Sequence, residues 1–138
     1  MIFAHTIANV LNGKKSQTRR LCYPSDTLGY VTIKGQKRLA VFDNTYKDRP
    51  RTRWIIGHTY AVQPERCHFA QGRIKITGLL REENPLEISE ADAIAEGFES
   101  AEAFREAWKS LHKKKPVQPV WVIEFQLVRS KVAIGGRA

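Results

Sequence analysis

Gly13-Lys14-Lys15-Ser16-Gln17-Thr18-Arg19-Arg20-Leu21 is the stretch on which the reading of this chain turns. Glycine suits a helix end, and the residues after it carry no helical apolar stripe, so the segment reads as a polar turn running into an extended strand. Before it, an apolar Met1 to Ala4 leads to Thr6, placed to cap a short helix whose Ile7, Val10 and Leu11 share one face. After it, Tyr30-Val31-Thr32-Ile33 and Arg38-Leu39-Ala40-Val41-Phe42 flank Lys34-Gly35-Gln36-Lys37, the pattern of a β-hairpin. Asp43 to Trp54 reads as an arginine-rich loop.

Farther out, Gly57 to Val62 has the form of a turn and a short strand stopped by Pro64, and Ile74 and Ile76 share one face of a second strand. Ser89 with Asp92 resembles a capping box opening a helix that Gly97 closes, and Ser100 is a second N-cap. Phe104, Ala107, Trp108 and Leu111 recur at helical spacing, and the aromatics and Leu111 among them read as core positions. The Lys113 to Lys115 run with Pro116 ends that helix, and Val120 to Val128 alternates Trp121, Ile123, Phe125 and Leu127 on one strand face. Strands and helices do not alternate as a doubly wound parallel sheet requires. The expected fold is α+β, a small mixed or antiparallel β-barrel with helices at one side.

The 138 residues suit one domain, expected over residues 1–129 with a flexible tail at 130–138. The longest apolar stretch is interrupted by Glu124 and Gln126, far short of the ~20 residues a membrane helix needs, so no membrane partner is expected. The first residues lack the pattern of a secretory signal, which makes the cytoplasm the expected compartment and free thiols the expected state of Cys22 and Cys67. Charge is segregated: residues 1 to 81 hold 15 basic and 4 acidic side chains, residues 82 to 112 hold 2 and 9, and the remainder 6 and 1, for a net +9. A positive face beside an acidic helical segment suits a polyanion, although a basic surface without such a partner has the same composition.

Gly13, Lys15 and Arg20 resemble the signature of the ASCH family, which spaces Gly, Lys, Glu and Arg in this way, with Thr18 standing where most members carry Glu. The order of the flanking segments is similar too, from the first helix through the Gly57-to-Val62 strand and the Ile88-to-Ala93 helix to Pro119-Val120-Trp121-Val122-Ile123-Glu124-Phe125. The resemblance implies a PUA-like β-barrel with a ligand cleft beside the motif, a role in RNA metabolism, and residues 22–58 as a hairpin-and-basic-loop insertion. A branch that hydrolyses N4-acetylcytidine carries the same Lys and Thr with a later Glu, and Glu96 stands where that acid is expected. The resemblance thus implies Thr18 as nucleophile, Lys15 as base and Glu96 as the group handling the leaving-group proton, with Arg20 or backbone N–H groups holding the oxyanion. Lys14, Ser16, Gln17, Arg19 and Arg20 are candidates for ligand contact.

Each of these residues has a second reading. A Thr in a polar turn commonly bonds its hydroxyl to the backbone, Lys15 belongs to a basic turn, and Glu96 stands at a helix end. The chain is then a non-catalytic RNA-binding module, or a metal-independent ribonuclease. Arg49, Arg51, Arg53 and Trp54 interleave guanidinium groups with an aromatic ring as single-stranded nucleic acid requires, or form a solvated loop with Trp54 turned inward. Cys22, Cys67, His5, His58 and His68 have no metal-site spacing, and no nucleotide-binding glycine motif occurs, so neither a metal nor another cofactor is expected. No pattern specifies an oligomeric state.

Overall fold

A computed structural model describes residues 1–3, 6–113 and 115–130. His5 and most of the expected tail, from residue 131 on, lie outside the described residues, and the last strand runs through Ser130. Two antiparallel sheets form the body. The larger has the order β1-β7-β6-β5, built from β1 (Gln17–Leu21), β5 (Thr59–Val62), β6 (Gly72–Glu83) and β7 (Val120–Ser130). The smaller is the meander β2 (Asp26–Ile33), β3 (Gln36–Asp43) and β4 (Arg51–Ile55). The larger sheet curls because β6 shifts register against β7 at three places, with Leu79 in a left-handed conformation at φ 59°. The result is a half-barrel within an α+β fold.

The hairpin turn is tighter than the sequence suggests. Lys34 and Gly35, at φ 50° and 77°, make a two-residue connection of the kind that matches strand twist. The segment expected as a loop to Trp54 instead becomes β4 from Arg51, because Arg51, Thr52, Trp54 and Ile55 find partners along β3. The apolar opening segment makes one parallel bridge, between Ile2 and Gln63.

Helix α1 (Ile7–Leu11) starts after Thr6, whose side chain makes no capping bond. Helices α2 (Glu90–Ala95) and α3 (Ala101–Leu111) do carry theirs: Ser89 Oγ accepts from the Asp92 N–H and Ser100 Oγ from the Ala103 N–H. The capping box is only half made, since Asp92 turns its carboxylate toward β1. Among the described residues no helix is long and apolar enough to cross a membrane.

Three apolar clusters hold the elements. Val41, Ile76, Leu80, Trp121 and Ile123 join the sheets, with Trp54 and Tyr60 packed at their edge. Phe3, Val10, Val62, Ile74 and Phe125 fix α1 on the curled sheet. Ile88, Ala93, Ala101 and Phe104 join α2 to α3.

Candidate functional site

The turn before β1 is laced to three elements at once. Lys15 N–H donates to the Asn9 carbonyl of α1 at 2.9 Å, Ser16 N–H to the Ala95 carbonyl of α2 at 2.7 Å, and Phe125 N–H of β7 to the Ser16 carbonyl at 2.9 Å. Gly97, at φ 95°, ends α2 against Asn9, whose Nδ2 would stand 3.0 Å from any added Cβ. This close approach sets Glu96, the last residue before the glycine, beside Lys15.

Lys15 Nζ and Glu96 Oε1 are 2.6 Å apart, with side chains only 5% and 4% exposed. Burial pulls the Lys15 amine below its ordinary pKa of 10.5; the Glu96 carboxylate opposes that, and Arg20 and Arg19 reinforce it. Thr18 is buried, and among the described residues its hydroxyl makes no hydrogen bond. Lys15, Thr18 and Glu96 border one cavity of about 950 Å³, within the roughly 300–1,000 Å³ typical of ligand pockets.

Arg19, which borders the cavity, and Gln17 both enter a polar clamp. The Arg19 guanidinium donates to Glu83 at 3.0 Å, Gln17 at 3.1 Å, Glu96 at 3.0 Å and Asp92 at 3.1 Å. Burial works against its charge, but the Glu83 and Glu96 partners outweigh it and hold its pKa above its ordinary value. Gln17 Nε2 donates to Asp92 at 3.1 Å and Arg81 to the same carboxylate at 3.0 Å. The network grips α2 and fixes both oxygens of Glu96.

Arg20 of β1 and Arg53 and Trp54 of β4 also border the cavity. Arg53 pairs with Asp26, donates to the Leu21 carbonyl at 3.2 Å, and lies 4.2 Å from the Tyr23 ring. The remaining candidates lie elsewhere: Lys14, Ser16, Arg49 and Arg51 are exposed and do not border the cavity.

The third wall overturns an expectation. Phe104 is buried, but Trp108 is half-buried and Leu111 is 61% exposed, and all three line the cavity. Trp108 stacks on Phe104 at 5.8 Å and meets the His112 ring at 4.4 Å. Helical periodicity cannot tell a core stripe from a cavity wall, since both are apolar rows on one face. Neither His112 nor the Glu83–Asp92 clamp was expected; the legible signals are the i, i+4 spacings of Trp108 with His112 and of Asp92 with Glu96.

Cys22 and Cys67 are free. The buried Cys22 thiol donates to Glu82 at 3.1 Å, and burial with that carboxylate pushes its pKa up to about 12, so it stays a thiol. Among the described residues no group of three or more His, Cys, Asp or Glu is placed to hold a metal. No protein-family model, curated protein or solved structure matches the chain.

Proposed function

We propose that this chain is an ASCH-type, PUA-like domain whose cavity hydrolyses the amide of an N-acylated pyrimidine nucleoside of the N4-acetylcytidine kind. One observation carries the reading: Lys15 and Glu96, 81 residues apart in sequence, form a buried pair on the wall of the cavity that Thr18 also borders. Amide cleavage without a metal needs a nucleophile, a group that takes its proton, a donor to the leaving amine and support for the oxyanion. Thr18 Oγ attacks the carbonyl carbon and gives its proton to neutral Lys15. The tetrahedral oxyanion rests on Arg20 or on backbone N–H groups. When the C–N bond breaks, the proton reaches the departing N4 through the Lys15–Glu96 pair, and water then releases the acyl group from Thr18. The lowered Lys15 pKa favours the neutral amine this step needs. The aromatic wall of Trp108 and His112 suits a planar base.

Incubation with N4-acetylcytidine should release cytidine, and Thr18→Ala and Lys15→Ala should each lower the rate by orders of magnitude, on the order of 10²-fold or more. Wild-type protein that releases no cytidine, or Thr18→Ala protein as fast as wild type, ends the assignment in favour of a non-catalytic RNA-binding module.

A further inference from the structure

Four cationic side chains border the cavity, and three are answered by carboxylates: Lys15 by Glu96, Arg19 by Glu83, Asp92 and Glu96, and Arg53 by Asp26. Arg20 differs. Its Nη2 donates to the Ile2 carbonyl at 2.7 Å, its Nε is buried without a partner, and among the described residues it joins no ion pair. Burial lowers its pKa to about 10, and Arg53 pushes the same way while Glu96 opposes. Arg20 is half-buried with its Nε out of reach of solvent; a cation so desolvated without a counter-charge carries a cost that is recovered if an anion enters beside it.

Arg53 approaches this corner from β4. Asp26, the Leu21 carbonyl and the Tyr23 ring fix the direction of its guanidinium. The next residue, Trp54, also borders the cavity and carries a second buried donor, Nε1, with no partner. The carboxylate on the cavity wall, Glu96, is already held by Lys15 and Arg19, so its repulsion of an incoming anion is blunted.

We infer that the corner between Arg20 and Arg53 is an anion subsite for the phosphate of a nucleotide, so that the cavity takes a phosphorylated pyrimidine nucleotide, free or within an RNA strand, in preference to the bare nucleoside. The inference rests on the nucleoside reading of Lys15, Thr18 and Glu96 given above. Guanidinium forks suit phosphate oxygens, and two of them bordering the same cavity offer the phosphate two charged partners. The smaller sheet gains a purpose, since β4 delivers Arg53 and Trp54. The oxyanion of the hydrolytic step then falls to backbone N–H groups, because Arg20 is occupied.

Calorimetric titration of the full chain with cytidine, cytidine 5′-monophosphate, inorganic phosphate and a short single-stranded cytidine oligonucleotide tests this. The monophosphate should bind about tenfold or more tightly than cytidine. Arg20→Gln and Arg53→Gln should each shrink that ratio, and Arg53→Lys should restore part of it. Circular dichroism checks that the variants fold, and Arg20→Gln serves if Arg53→Gln does not. Lowering the pH below about 6, where a phosphate monoester loses its second charge, should narrow the ratio in wild-type protein. A ratio near one, or a ratio that neither Gln variant changes, overturns the subsite. If cytidine binds and its monophosphate binds no better, the subsite fails and the nucleoside reading stands. If the monophosphate binds no better than inorganic phosphate and N4-acetylcytidine is not cleaved, the anion subsite stands and the nucleoside reading fails. Tighter binding of the oligonucleotide than of the monophosphate names an RNA strand as the source of the phosphate, and the reverse names a free nucleotide.

Discussion

The two flanks of β1 treat positive charge in opposite ways. Toward α2, Arg19 spends its hydrogen bonds on Glu83, Gln17, Asp92 and Glu96, and its side chain is fully buried. Toward β4, its neighbour Arg20 has one backbone carbonyl, the face of Phe3 at 4.8 Å and an unpartnered Nε. Adjacent residues of one type thus do different work. A cation wrapped in carboxylates is finished as a structural clamp, whereas a partly desolvated cation without one remains able to gain from a ligand. The clamp fixes Glu96 against Lys15, and the open corner faces the same cavity.

The sharpest way to break that contrast is to truncate each arginine. Arg19→Ala takes one cationic partner from each of three carboxylates at 4% to 22% exposure, leaving Arg81 to Glu83 and Asp92 and Lys15 to Glu96, and we expect a loss of about 3 kcal/mol in urea unfolding. Arg20→Ala removes a costly charge along with one hydrogen bond, so its effect should stay within about 1 kcal/mol of zero. Equal losses for the two would show that Arg20 is as structural as Arg19.

The pH dependence of cleavage sharpens the clamp's part. Lys15 accepts a proton only when neutral, and burial holds its pKa below 10.5, so kcat/KM should rise with pH through an inflection below that value. Glu96→Gln removes the charge that opposes the burial, and the inflection should move lower still while the plateau falls. The same depressed pKa has a stability consequence: the unfolded chain binds the Lys15 proton in the window between the folded pKa and 10.5, so this residue's contribution to stability rises with pH there. An inflection that stays fixed in Glu96→Gln would detach Glu96 from the amine.

Local signals carried the readings that held. Ser100 caps α3, Gly97 ends α2, and Val120 to Val128 lies within the central strand β7, each requiring only near neighbours in sequence. Lys15, Thr18 and Glu96 border one cavity. What escaped depends on distant partners. β4 exists because β3 pairs with it, and its exposed arginines look like those of a loop. Glu83 is 64 residues from Arg19, and no spacing rule announces such a bond. Trp108 and Leu111 obey the periodicity of a core stripe, yet the space they face is a cavity.

The smallest effect concerns how the open corner is held. The smaller sheet meets the larger at a few polar joints, among them Ile55 N–H donating to Tyr60 Oη at 2.9 Å, between the last residue of β4 and a residue of β5. Burial raises the Tyr60 pKa above 10.0, so the phenol is neutral and its ring stays edge-on to Trp54 at 5.6 Å. Tyr60→Phe keeps the ring and deletes the acceptor, leaving the Ile55 N–H without that bond. We expect a loss of about 1–2 kcal/mol by urea unfolding, with the preference for cytidine 5′-monophosphate over cytidine reduced because β4 carries Arg53. The Arg19 clamp touches neither Tyr60 nor β4, so Tyr60→Phe combined with Arg19→Ala should lose about the sum of the two single losses, to within roughly 0.5 kcal/mol. A marked departure from that sum would join the two flanks energetically and dissolve the contrast between clamp and corner.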